Sequence, residues 1–200
     1  MIRRRFVPER DSDGVVLKLP KSERALLSGL AEELSGALDT FSGSASGPGE
    51  VPESMRRLFP HAYAIDEEAE ARFCELTRSE LLEHHRHAFE VLAASADAPR
   101  LSGAELDGWM AALTDLRLVL GTVLGVTDEE GAPSGLFKSS QGVIYGYLSA
   151  LQEELVGVLS GSLPPATPGA DDLAPDDPWG EPLGDLRWDG SQRPSGPEPS

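Results

Sequence analysis

Basic side chains are scarce in this chain. Its 200 residues hold 17 Lys and Arg against 34 Asp and Glu, a formal net charge of −17. That shortage argues against binding nucleic acid by bulk charge, because each phosphate contact needs a Lys or Arg to release a counterion. An anionic membrane surface is disfavoured for the same reason. Cysteine occurs once, at Cys74. A lone cysteine excludes an internal disulfide framework and fits a reducing cytosol. Long apolar runs are missing: residues 118–126, the most apolar stretch, reach about half the length that spans a bilayer. The basic start Met1-Ile2-Arg3-Arg4-Arg5-Phe6 lacks the apolar region of a secretory signal behind it. A cytoplasmic protein without a membrane segment is the expectation.

What the chain does have is a 40% apolar content, enough to build a core. Two regions separate by composition. Residues 164–200 carry nine prolines and eight acidic against two basic side chains, a net −6, which leaves −11 on residues 1–163. Proline removes backbone donors and like charge opposes collapse, so 164–200 is predicted to be a disordered tail. Trp179 and Trp188 interrupt it as candidate anchors for a partner.

Residues 1–163 are predicted to form a mainly α domain of five to six helices behind an N-terminal β-hairpin. Alternation over residues 2–7, the turn residues Asp11-Ser12-Asp13-Gly14 and the apolar return at 15–19 place the hairpin at 2–19. Ser22 is the expected cap for a helix carrying the stripe Leu26, Leu27, Leu30, Leu34 and Leu38. A short helix is expected at 53–59, stopped by Pro60. Asp66 caps a helix over 67–76 with Phe73 and Leu76 inward. Thr77 with Glu80 reads as a capping box that opens the next helix, to about 95. Ser102 with Glu105 repeats that pattern at the head of a helix whose broad apolar face makes it the central one. A last helix is expected over 143–159.

Signals for chemistry are few. His84, His85 and His87 cluster on one predicted helix, but no HExxH or ExxH spacing is present, so they read as a solvated polar face. No Gly-rich phosphate loop follows a strand and no GxSxG occurs. No catalytic residue, metal or cofactor is assigned, and the chain is not expected to be an enzyme. Gly121 and Gly125 have GxxxG spacing, read as room for close helix packing. Arg117 borders the apolar face and is expected to pair with Glu153 or Glu154. Cys74 lies beside an apolar stripe with Arg72 and Arg78 nearby, neighbours that lower a thiol pKa, while Glu70 and Glu75 oppose them.

Two blocks are distinctive. Arg57-Leu58-Phe59-Pro60-His61-Ala62-Tyr63 leads into Asp66-Glu67-Glu68-Ala69-Glu70-Ala71-Arg72-Phe73, and Trp109 begins a second block that runs through Asp115, Arg117 and Gly121 to Thr127. Together they resemble the signature of the actinobacterial oxidative stress regulator AosR family, over about residues 2–160. The resemblance implies a redox-responsive transcription regulator, linked to cysteine biosynthesis genes and to an alternative sigma factor. It also implies sensing through an intramolecular disulfide, which a single Cys74 cannot form, so sensing by this residue would have to be intermolecular. Trp109, Asp115, Arg117 and Gly121 are read as structural residues of the motif.

Charge then narrows the partners. Arg3, Arg4, Arg5, Arg10 and Lys18, on or beside the hairpin, are the candidate phosphate contacts, although strand alternation splits Arg4 from Arg3 and Arg5. A sigma factor or RNA polymerase is therefore the expected partner, with DNA a weak ligand for the chain alone, no membrane, and a homodimer as a further option. The alternative is an adaptor without redox sensing that binds a partner through an apolar helical surface.

Overall fold

The computed structural model describes residues 4–9, 13–42, 51–63, 65–127 and 135–161. Arg3, Arg10 and the predicted tail with Trp179 and Trp188 lie outside the described residues. Phe6–Pro8 (β1) pairs antiparallel with Val15–Leu17 (β2), with Phe6 opposite Leu17 and Pro8 opposite Val15. A two-residue strand, Arg100–Leu101 (β3), joins the other edge of β2. Its brevity leaves no alternating pattern to read in the sequence. Phe6, Val15, Leu17 and Leu101 face inward and are at most 3% exposed.

The helices follow the apolar stripes. Lys21–Ser42 (α1) buries Leu26, Leu27, Leu30, Leu34 and Leu38. Arg24 N already bonds the Pro20 carbonyl at 3.1 Å, so Ser22, expected as the cap, lies within the first turn. The predicted helix at 53–59 is a single 3-10 turn, Glu53–Met55, after which Leu58 and Phe59 are buried. Glu67–Ser95 (α2) starts where expected, with Asp66 Oδ1 accepting from Ala69 N at 3.0 Å.

The expected break in α2 at Thr77 is absent, and the 29-residue helix runs through it. Thr77 Oγ1 donates to the Phe73 carbonyl at 2.8 Å, a bond a threonine makes inside a helix and not at its start. Leu76, expected inward, is 79% exposed. The described chain thus has four α-helices and two 3-10 turns in the expected mainly α architecture with its hairpin.

Gly103–Val123 (α3) opens with the predicted capping box of Ser102 and Glu105 and packs between α2 and α4. It buries Leu106, Trp109, Leu113, Leu116 and Leu120, as a central helix must. Gly125, at φ +67°, ends it: the chain turns left-handed there and Val126 N bonds the Gly121 carbonyl at 2.8 Å. After a 3-10 turn at Leu136–Lys138, Ser139 caps Ser140–Leu159 (α4), its Oγ accepting from Gly142 N at 3.0 Å. Gly142 is required here, because a Cβ would sit 1.7 Å from the Leu136 carbonyl oxygen.

Successive helices run antiparallel. Arg24 reaches the end of α2 while Asp39 pairs with Arg86. Ser95 meets Trp109 while His85 meets Asp115. Thr114 meets Gln152 while Tyr145 lies over Gly121. Among the described residues, no helix is long and apolar enough to cross a membrane.

Candidate functional site

Cys74 stands two turns into α2 and is half-buried. Its thiol donates to Glu70 Oε1 at 3.4 Å. The same carboxylate receives His61 Nδ1 at 3.0 Å, Ala62 N at 3.0 Å and Tyr63 N at 2.8 Å. Tyr63 then packs edge-on against Phe73, with ring centroids 6.2 Å apart. The chain that precedes α2 is thereby tied down beside Cys74, and Glu70 is the knot. The Tyr63 N–H bond, with those from Cys74, Ala62 and His61, holds the Glu70 carboxyl below its usual range against some burial.

The thiol moves the other way. Burial first, then the bond to Glu70 and its charge, push the Cys74 pKa up, and Arg78 only partly offsets them. The two arginines weighed against Glu70 and Glu75 in the sequence make other contacts as well. Arg72 turns back to Glu68 at 3.3 Å, and the Arg78 guanidinium lies over the Phe41 ring at 4.9 Å. A thiol held protonated is a slow nucleophile.

Higher on α2, His85 departs from the predicted solvated face. It is 7% exposed, with Nδ1 2.6 Å from Asp115 Oδ2 and Nε2 3.2 Å from the Leu58 carbonyl. The signal was in the sequence: His85 falls in phase with Leu82, Phe89 and Leu92 on the inward stripe. Burial opposes its charge, but the hydrogen bond and charge of Asp115, with the Leu58 carbonyl, outweigh it and raise the His85 pKa above 6.5. Asp115, a motif residue, is thus one half of a buried pair. His84 and His87 do line an open trough on α2, with Glu80, Glu83 and Glu90. Among the described residues, no group of three or more His, Cys, Asp or Glu converges as a metal site.

Among the described residues, the hairpin cations are Arg4, Arg5 and Lys18, and they differ in burial. Arg5 is 7% exposed, so it is withdrawn from the candidate phosphate contacts. The chain bends at Arg5 before β1 begins, so strand alternation does not govern it. Its Nε bonds Glu23 Oε2 at 3.1 Å, and the Tyr147 hydroxyl donates to the same oxygen at 2.7 Å. Glu154 Oε1 accepts the backbone N–H groups of Arg5 at 2.6 Å and Phe6 at 3.0 Å. Arg4 and Lys18 are half-buried on the described hairpin, and Arg3 and Arg10 lie outside the described residues.

The other motif residues hold helices together. Trp109 is fully buried, donates to Ser95 Oγ at 2.8 Å and meets Phe6 edge-on at 5.8 Å. Arg117 finds neither Glu153 nor Glu154, since Glu154 serves the hairpin. It donates to Ser149 Oγ at 3.0 Å and to Gln152 Oε1, and lies over Tyr145. Gly121 is buried, with Tyr145 and Arg57 in ordinary contact with the space a Cβ would take. Arg24 was not singled out by any sequence pattern, yet it donates to four carbonyls, those of Leu17, Leu19, Ala96 and Ala98. It joins the hairpin to the end of α2.

The family described as "Domain of unknown function (DUF2017)" matches residues 3–159. Proteins named "Oxidative stress regulator AosR" from Mycobacterium bovis and Mycobacterium tuberculosis are each 31% identical over 191 residues, covering 78% of this chain and 87% of theirs. A "Putative oxidative stress regulator AosR" from Mycobacterium leprae is 30% identical over 140 residues, covering 60% of this chain and 64% of its own. No solved structure matches.

Proposed function

Since the chain belongs to the DUF2017 family, we propose that it is an oxidative stress regulator, as its mycobacterial relatives are named, working in the cytoplasm through contacts with transcription proteins. The observation that carries this reading is the likeness to those named regulators across 78% of the chain. A sigma factor or RNA polymerase fits the net charge of −17 better than DNA gripped by this chain alone. Burial of Arg5 against Glu23 favours the same choice, because it removes one of the few cations available for phosphate. No reaction is assigned to the chain.

Cys74 is the redox group of this proposal. Two thiols and one peroxide give a disulfide and two waters, and with a single cysteine the second thiol comes from another chain or a small thiol. Affinity purification from the native host, with and without peroxide and with Cys74→Ser beside the natural chain, tests it. Transcription proteins should be recovered in an oxidant-dependent way that the substitution abolishes. Tight DNA binding by the purified chain at physiological salt, without a partner, would overturn the assignment to protein contacts.

The raised thiol pKa favours a second reading, an adaptor that does not sense oxidant. In it the exposed apolar side chains Tyr63, Ile65 and Leu76 around the start of α2 meet the partner. Recovery of the same partners regardless of oxidant and of Cys74→Ser would select it.

A further inference from the structure

Both ring nitrogens of His85 face groups that accept. Nδ1 lies 2.6 Å from the Asp115 carboxylate and Nε2 lies 3.2 Å from the Leu58 carbonyl. A neutral imidazole carries one N–H and can serve one of them, whereas the imidazolium serves both. The site is buried, so water is poorly placed to take over the abandoned acceptor. Phe59 adds its ring edge-on to the imidazole at 5.6 Å. Residues 58–59 therefore rest on His85 through backbone and side chain together.

A few residues on, His61, Ala62 and Tyr63 converge on Glu70 of the same helix. Residues 58–63 form a strap along α2, fastened at His85 and again at Glu70. We propose that this strap is a proton-operated latch, closed when His85 is the imidazolium bridging Asp115 and the Leu58 carbonyl, and released at its Leu58 end when the proton leaves.

Among the described residues, the groups that face His85 come from α3, the strap and α2. From α3 the group facing His85 is Asp115. From the strap come the Leu58 carbonyl and the Phe59 ring, and from α2 itself the His84 ring at 5.7 Å. From α1, Asp39 is taken up by Arg86 at 2.7 Å. Asp115 is therefore the one charge in direct contact among these. Its pull, with the Leu58 bond, places the His85 transition above the ordinary histidine value of 6.5, so the latch opens toward alkaline pH. The far end of the strap shares Glu70 with the Cys74 thiol, which brings the latch next to the lone cysteine.

The test is an NMR titration of the full chain, labelled with nitrogen-15, from about pH 5 to about pH 9, following the histidine rings and the backbone amides of the strap. His85 should titrate above the ordinary histidine value of 6.5. The amide of Phe59, at the end that His85 holds, should shift with the same midpoint. In His85→Gln, strap amides should exchange about tenfold faster at acidic pH, the loss expected for one hydrogen bond to a charged donor, and their pH response near neutrality should vanish. Should that variant fail to fold, Asp115→Asn keeps the size, removes the charge, and should lower the His85 midpoint. A His85 that titrates at or below 6.5 would overturn the latch, as would a Phe59 amide indifferent to its titration.

Discussion

Residues 82–95 of α2 bury Leu82, His85, Ala88, Phe89, Leu92 and Ser95 against α1 and α3, whereas residues 67–80 of the same helix bury none. The geometry of α1 explains the difference. It runs antiparallel to α2, and its last turn, at Phe41, reaches only as far as Arg78. Beyond that point, among the described residues, α2 projects and the strap covers it through Glu70 and the Tyr63–Phe73 contact. One half of the helix is held by a core that includes the hairpin, and the other by hydrogen bonds to one carboxylate. Substitutions in the first region should therefore lower global stability, and those in the second should act locally.

The largest effect is expected where the hairpin is tied to the bundle. Glu23→Ala leaves the Arg5 guanidinium buried without its carboxylate and strips the Tyr147 hydroxyl of its acceptor. Breaking a buried pair from one side costs about 3–5 kcal/mol, to be read as a fall in the urea midpoint. A loss under about 1 kcal/mol would mean that this network behaves like a surface pair, and the contrast between the two regions would fail. Trp109→Phe comes next. It keeps an aromatic ring near Phe6 but removes the donor to Ser95 and some volume, at about 1–3 kcal/mol by the same measurement.

The same contrast decides what could be read in the sequence. Stripes of leucine in α1 and α3 were legible because each buries one face at a helical period, and the Ser102–Glu105 box was legible because both side chains cap locally. The Thr77–Glu80 pattern misled because the same spacing occurs inside a helix, where the hydroxyl turns back to the Phe73 carbonyl. At the candidate site, Cys74 could be singled out as the one thiol, but its setting could not. The bonds to Glu70 from residues 61–63 depend on the path of the strap, and no local pattern encodes that path. Glu23 and His85 sit in phase with apolar neighbours, so their burial was readable in principle. Their partners Arg5, Tyr147 and Asp115 lie 18, 124 and 30 residues away in the chain, beyond any sequence window.

In the projecting half, smaller effects are expected. Asp66→Ala removes the acceptor for Ala69 N at the start of α2. A lost N-cap costs about 1 kcal/mol for the helix end, visible as faster amide exchange over the first turns. If the projecting half is as separate as its lack of buried residues implies, the urea midpoint should move by less than that. Leu76→Ser, at a side chain 79% exposed, should change stability by no more than about 0.5 kcal/mol. Its use is to test the adaptor reading, in which partner recovery falls while the fold is untouched.

Acid should leave the smallest global trace and the most local one. The Glu70 carboxyl titrates below its usual value of 4.5, chiefly because Tyr63 N–H binds the charged form. A depressed acid pKa contributes stability that is present above the unfolded value and is lost as pH falls through the folded one. Protonation should therefore free residues 61–63, read as a shift of the Ala62 and Tyr63 amides below pH 4.5 with the core amides unmoved. His85 has the opposite sign: its raised pKa gives stability that is full below 6.5 and is lost as pH rises through the folded value. The strap is then held at both ends only between these two transitions, loosening first at Tyr63 in acid and first at Leu58 in base. Glu70→Gln should abolish the acid transition and leave the alkaline one in place. Loss of both together would show that residues 58–63 let go as one unit, and that the projecting half of α2 is coupled to the core after all.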